Sequence, residues 1–414
     1  DYQDSVKVQR AKAIEYLLMN KEICLNQDEL IVGERGFKPK ATPTYPELCT
    51  HSEQDLYILH NREKISFKVN DKTKEILLNQ VKPYWTGKSI RDRIFDQLDQ
   101  EWKDAYSAGI FTEFMEQRAP GHTVADDKMY RFGMKDFISQ IDQQLQTLSP
   151  ENQDQIEQLK AMRISAQALI KFALRYANAL NQSAETEKDP ERREELIKMA
   201  DICRYVPENA PRTFHEALQY YWFVHLGVIT ELNTWDSFNP GRLDQHLYPF
   251  YQRETAEGSL TEEQAKELLM SFWVKFNNQP APPKVGVTAQ ESNTYTDFCL
   301  INVGGLDKNG EDACNPLTFI ILDVIEEMRL LQPSSMVQIS HKNPDAMIKR
   351  ALKIIKTGFG QPSLFNSDAI VEEMLRQGKD IVDARLGGAS GCVETGAFGK
   401  EAYWLTGYFN LPKV

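Results

Sequence analysis

The sequence predicts an α/β protein, a helical layer followed by short buried strands with helices between them. Two observations carry this. Over the first 230 residues apolar side chains recur at the three- and four-residue spacing of one helix face. From about residue 235 the chain changes to short apolar runs separated by Gly, Pro and Asn. Strand, helix and strand in succession give a sheet with helices packed outside it.

The elements follow in order. Val6 to Asn20 sets Ala11, Ile14, Leu17 and Leu18 on one face and begins the helical layer. Residues 135–148, 151–181, 184–204 and 212–231 repeat the pattern, with Ser149-Pro150-Glu151 and Pro211-Arg212-Thr213 as helix starts. Phe214 to Val228 is apolar nearly all round, the composition of a helix buried within the protein. Phe298-Cys299-Leu300-Ile301-Asn302-Val303-Gly304-Gly305 and Ser335-Met336-Val337-Gln338-Ile339-Ser340 read as buried strands. Leu317 to Glu327 and Pro344 to Thr357 are the helices between them. No repeat or long linker interrupts the chain, so one compact body is expected, mainly helical over 1–230 and sheet-forming over 231–414.

Composition narrows the function classes. At 414 residues the chain exceeds one ordinary domain core. With 41% apolar and 26% charged residues it is a globular rather than a disordered sequence. A net charge of -12 argues against nucleic acid or an anionic membrane as partner, since both demand basic patches, and leaves a small-molecule substrate. No run of about 18 apolar residues exists to span a bilayer. Asp1-Tyr2-Gln3-Asp4 lacks the basic and apolar regions of a signal peptide, and an initiator methionine. The six cysteines form no C-x-x-C pair, so neither a zinc ribbon nor a disulfide framework is suggested, and reduced thiols in a cytoplasm fit best. Gly358-Phe359-Gly360 lacks the lysine and spacing of a phosphate loop, and the seven histidines include no i, i+4 pair, so neither a nucleotide nor a metal is expected.

Gly391-Cys392-Val393-Glu394, preceded by Gly387-Gly388-Ala389-Ser390, is the segment that points to chemistry. Glycine accepts positive φ without steric cost, so these small residues suit a tight loop. In extended backbone Cys392 and Glu394 would point the same way and share one pocket. A lone cysteine is more often a small buried hydrophobe, so the tetrapeptide alone does not decide.

With its continuation Thr395-Gly396-Ala397-Phe398-Gly399-Lys400-Glu401-Ala402-Tyr403, this segment resembles the thiyl-radical cysteine loop of glycyl radical enzymes, the pyruvate formate-lyase-like family. Five further landmarks match in order: Leu30-Ile31-Val32-Gly33-Glu34, Arg118-Ala119-Pro120-Gly121-His122-Thr123, Ser237-Phe238-Asn239-Pro240-Gly241-Arg242-Leu243-Asp244-Gln245, Asn302-Val303-Gly304-Gly305 and Gln361-Pro362-Ser363-Leu364-Phe365-Asn366. Gly33, Gly241, Gly304 and Gly305 read as turn and close-packing positions. The resemblance implies a ten-stranded α/β barrel of two five-stranded halves, of which this chain holds the helical layer, the first half-barrel and the cysteine loop. It also implies a glycyl radical on a downstream glycine outside residues 1–414, which makes the chain an N-terminal portion of a larger enzyme. The implied partners are a radical S-adenosylmethionine activating enzyme, which owns the iron–sulfur cluster, and a second subunit in a homodimer. The implied setting is the cytoplasm of an anaerobic bacterium.

Within the family the details are most similar to the dehydratases that remove water from 4-hydroxyproline. By that resemblance Cys392 carries the thiyl, because an S–H bond is close in strength to a C–H bond beside nitrogen. Glu394 handles protons beside it, since a carboxyl in a dry pocket holds its proton toward neutral pH; its other reading is an ion pair. His122, after Ala119-Pro120-Gly121, is a donor to the departing hydroxide. Asp236 pairs with the substrate ammonium and titrates together with Glu394, or else caps a helix or partners Arg242. Ser292, Phe298 and Tyr408 line the substrate. Related dehydratases of glycerol or propanediol, choline-type C–N lyases and arylacetate decarboxylases are alternatives. Diol enzymes carry histidine in place of Asp236 and an aspartate after the cysteine loop, whereas residues 395–414 contain none. Outside the family, Cys392 could serve a cysteine hydrolase with His122 or His341 as base, or the chain a non-catalytic role.

Overall fold

The computed structural model describes residues 3–112, 122–232, 238–286, 289, 299–391, 393–403 and 408–414. The helical layer is organised around the 34-residue helix Gln153–Thr186. Helices Val6–Asn20, Met134–Thr147 and Pro190–Tyr205 pack against it. Its inner stripe of Phe172, Tyr176, Leu180 and small alanines at 168, 173, 177 and 184 lets those neighbours approach closely.

Two details depart from the sequence reading. Val6–Asn20 buries Val8, Ala11, Ile14 and Leu18, while Leu17 is 50% exposed, because position 17 falls on the flank of that stripe. The break expected at 181–184 lies at 187–189. Leu180 and Ala184 keep the buried stripe running through the polar stretch, and the helix yields only before Pro190, which cannot sit in a helix interior; Asp189 caps the next helix through the Glu191 N–H. Helix Phe214–Gly227 is buried on all sides, as its composition predicts, and unwinds into a π-turn over Val228–Leu232.

Eleven short strands are described: β1 Phe111–Thr112, β2 His122–Val124, β3 Phe238–Asn239, β4 Gly241–Arg242, β5 Leu300–Gly304, β6 Ser334–Ile339, β7 Ser363–Asn366, β8 Gly388–Ser390, β9 Glu394–Gly396, β10 Ala402–Tyr403 and β11 Tyr408–Phe409. Strands β4–β5–β6–β7 form a parallel sheet. Parallel neighbours need a crossover, and helices Pro316–Met328 and Asp345–Ile355 supply it between β5, β6 and β7. Side-chain alternation gives the sheet two buried faces. Ile301, Val303 and Val337 face the helices and join a core that runs from Ile14 through Phe172, Trp222 and Phe272 to Ile354. Leu300, Met336 and partly buried Phe365 meet Ala389 on the other face. The helical layer and the sheet therefore share one core, and the antiparallel hairpin β8–β9 lies on the sheet's other side.

A buried polar joint locks the Leu30–Glu34 landmark to this core. The Val32 N–H donates to Gln219 Oε1 at 2.8 Å, and Gln219 Nε2 donates to Val32 O at 2.9 Å. Lys275, 2% exposed, bridges Glu29 and Glu34, each at 2.7 Å. Burial alone depresses an ammonium, but the two carboxylates outweigh it and hold Lys275 above its usual range.

Candidate active site

The hairpin β8–β9 carries the Gly-Cys-Val-Glu segment. Its register pairs Gly388 with Gly396, Ala389 with Thr395 and Ser390 with Glu394, leaving Gly391, Cys392 and Val393 between the strands. Gly391 has φ +53°, the left-handed conformation that favours glycine, so the tight loop expected from the small residues is present. Cys392 itself lies outside the described residues. Glu394 is half-buried at the first position of β9, and its Oε2 accepts the Val393 N–H at 3.0 Å.

The strands around the hairpin gather the remaining landmarks. β8 contacts β2, β4 and β5. His122 opens β2, which pairs in parallel with β3 and antiparallel with β10, placing His122 opposite Tyr403. The turn after β9 is tied to the same strand, since the Gly399 N–H donates to Val124 O at 3.0 Å. The backbone thus brings the Cys392 loop, Glu394 and the strand of His122 together. Tyr408 lies in β11, paired with Thr112 of β1. The side chains of His122 and Tyr408, and Asp236, Ser292 and Phe298 altogether, lie outside what is described; Asp236 precedes β3 by two residues, and Phe298 precedes β5 by two.

Sequence reasoning missed the group that holds the hairpin. Asn302 and Gln338 sit on one face of adjacent strands β5 and β6, 0% and 1% exposed. Asn302 Nδ2 donates to Ala389 O at 2.9 Å, and Asn302 Oδ1 accepts the Ala389 N–H at 3.3 Å. Gln338 Nε2 donates to Asn302 Oδ1 at 3.1 Å and to Gly387 O at 3.0 Å, while its Oε1 accepts from Ser367 Oγ at 3.3 Å. Gly388 leaves room for them: a Cβ there would meet Gln338 Nε2 at 2.2 Å and Asn302 Oδ1 at 2.4 Å. Arg242, 1% exposed, donates to Arg385 O at 2.8 Å and Gly387 O at 3.5 Å just before β8, and to Gly304 O and, at 3.0 Å, Leu306 O at the end of β5. Burial pulls its guanidinium down to about 10, opposed by Asp244 and Asp307. The overlooked signal was a polar residue inside each of two apolar strand runs, Leu300-Ile301-Asn302-Val303 and Met336-Val337-Gln338-Ile339.

Among the described residues no group of three or more His, Cys, Asp or Glu could hold a metal ion. Among them, too, no helix is long and apolar enough to cross a membrane.

Comparison with known proteins agrees with the landmarks. Residues 2–414 match the family described as pyruvate formate lyase-like. The chain is 50% identical over 419 residues to trans-4-hydroxy-L-proline dehydratase of Clostridioides difficile, a match covering 100% of this chain and 53% of that protein. It is 31% identical over 422 residues to (2S)-3-sulfopropanediol dehydratase of Klebsiella oxytoca, covering 99% and 51%. Its structure superposes on that of the C. difficile hydroxyproline dehydratase with bound trans-4-hydroxy-L-proline at TM-score 0.95, with 50% identity over 99% of this chain and 53% of that one. The chain spans about half the length of these relatives. The helical layer, the parallel sheet and the cysteine hairpin are the α/β architecture of glycyl radical enzymes, and the chain belongs to the pyruvate formate lyase-like family.

Proposed function

We propose that this chain forms part of a glycyl radical hydro-lyase that removes water from 4-hydroxyproline to give 1-pyrroline-5-carboxylate. The observation that carries this is the 50% identity, over the whole chain, to a relative that dehydrates that amino acid. The division of labour is helical support from 1–230, and the half-barrel and cysteine loop from 231–414. A glycyl radical outside residues 1–414, installed by a separate activating enzyme, supplies the oxidising equivalent that turns the Cys392 thiol into a thiyl.

Cys392 then takes a hydrogen atom from the carbon beside the ring nitrogen. His122, with Glu394, delivers a proton to the neighbouring hydroxyl as it leaves, so the C–O bond breaks as water departs. Asp236 holds the ring ammonium, with Ser292, Phe298 and Tyr408 around the carboxylate and ring. Cys392 finally returns its hydrogen atom to the carbon that lost the hydroxyl, and the ring nitrogen gives up a proton as its double bond to the neighbouring carbon forms, which makes good the proton spent on the departing water. The sum is loss of one water with no net oxidation. Exclusion of bulk water protects the intermediates from side reactions.

The test is an anaerobic assay of the enzyme expressed from its full reading frame and activated, against 4-hydroxyproline, proline, glycerol, propanediol and choline. We expect turnover of 4-hydroxyproline alone, because a site built around a departing hydroxyl and a ring ammonium rejects substrates lacking either. Cys392→Ser should keep the glycyl signal in electron paramagnetic resonance and lose turnover, since an alcohol O–H is too strong to return the hydrogen. Turnover of a diol or choline with none of 4-hydroxyproline would overturn the substrate.

A further inference from the structure

We propose that Asn302 and Gln338, with Arg242 behind them, are positioning residues that set the distance between the cysteine of the hairpin and the substrate C–H bond. The inference rests on the reading of Cys392 as the thiyl residue. It starts from where the backbone groups of β8 find their partners. Asn302 takes both the N–H and the C=O of Ala389, the place a neighbouring strand residue would occupy at the outer edge of β8. Gln338 fixes the preceding carbonyl, Gly387 O, and orients Asn302 through its Oδ1. Ser367 in turn orients Gln338. Each amide is oriented by the next, so the chain of bonds transmits the position of strands β5 and β6 to a residue three before Cys392 in sequence.

Ordinary packing against Leu300 and Met336 would hold Ala389 against the sheet, but apolar contact is non-directional and tolerates sliding along the strand. Two hydrogen bonds to one residue's backbone fix its register. A hydrogen-atom transfer is sensitive to that register, because displacement of the reacting atom by about 1 Å can cost on the order of 10²-fold in rate.

The test uses the activated enzyme from the full reading frame carrying Asn302→Leu, which removes both bonds to Ala389 at similar volume. A second variant, Gly388→Ala, drives a Cβ into the same amides from the hairpin side. Turnover is normalised to glycyl spin, which counts only folded, activated protein. For each variant we expect kcat per spin to fall about 10²-fold with KM little changed. The deuterium isotope effect on kcat, with substrate labelled beside the ring nitrogen, should rise as hydrogen abstraction becomes rate-limiting. A merely structural role would lower the spin count and leave kcat per spin and the isotope effect at wild-type values. That result in either variant, with Cys392→Ser still inactive, overturns the positioning role and spares the proposed reaction. Turnover by Cys392→Ser overturns both.

Discussion

Gln219 and Asn302 perform the same act in two regions of the molecule. Each is a buried carboxamide paired with both backbone groups of one residue, Gln219 with Val32 and Asn302 with Ala389. Their surroundings differ. Beside Val32 stand the buried ion pairs of Lys275 with Glu29 and Glu34, with Gln279 Nε2 donating to Glu34 at 2.5 Å. Beside Ala389 the partners of Asn302 are neutral, Gln338 and through it Ser367. A buried ion pair resists separation but carries a large desolvation cost, so loss of one member is severe. A neutral amide network is held by hydrogen bonds alone and works only when every member is satisfied. The buried Arg242 guanidinium stands one step behind, on Arg385 O at 2.8 Å, and makes no hydrogen bond to Ala389 itself. Ion pairs lock the Val32 joint, whereas neutral amides, with Arg242 behind them, place the reacting strand.

The strongest way to break this comparison is Lys275→Met. It strands two buried carboxylates, and we expect it to cost about 3–5 kcal/mol, seen as a lower guanidinium midpoint. Gln338→Met at the neutral network should cost about 1–3 kcal/mol, the price of buried groups left without hydrogen bonds. Equal losses would erase the distinction between charged and neutral joints.

Gln219→Leu sharpens the comparison at smaller effect. It removes the partner of the Val32 backbone and should destabilise by about 1–3 kcal/mol. Turnover per glycyl spin and the substrate isotope effect should stay at wild-type values, because this amide holds scaffold. If Gln219→Leu raises the isotope effect as Asn302→Leu is expected to, the two amides do not divide scaffold from site.

This division was only partly legible in the sequence. Helix Phe214–Gly227 and strands β5 and β6 could be read because apolar composition dictates burial wherever the chain passes. The tight loop at Gly391 could be read because only one residue type enters that conformation freely. The pairing of Asn302 with Ala389 could not, since it joins residues 87 apart and depends on how the hairpin strand β8 settles against β5. The sequence reading grouped Asn302 with Gly304 and Gly305 and passed over Gln338, although polar residues inside two buried strands call for partners. The break at Glu187 to Asp189 was misplaced for the opposite reason: local polarity suggested an end that the buried stripe carried across.

The smallest effect sets buried histidines against a buried carboxyl by the sign of their response to acid. His215 donates to Leu30 O at 2.7 Å, and burial, opposed by that bond, pulls its pKa down to about 4. His225 lies on the same helix, against Phe238 O at 3.0 Å, and burial pulls it to about 3. Unfolded histidine titrates near 6.5, so below that pH the unfolded chain binds more protons and stability is lost as pH falls toward 4. Asp244, which accepts from the Gly304 N–H at 2.8 Å and from Thr318 Oγ1 at 2.7 Å, is pushed the other way: burial raises it, opposed by Arg242 and those two donors. Its folded state holds the proton more readily than the unfolded chain, so its contribution grows as pH falls through the raised value. Between pH 6 and 5 the guanidinium midpoint should therefore fall. His215→Gln should flatten that slope by up to about 1.4 kcal/mol per pH unit, the linkage for one proton. Asp244→Asn should remove the opposing contribution, so that the loss of stability on acidification is steeper wherever the raised carboxyl titrates. A slope unchanged in His215→Gln, or a shallower acid loss in Asp244→Asn, would show that these groups do not carry the acid response with opposite signs.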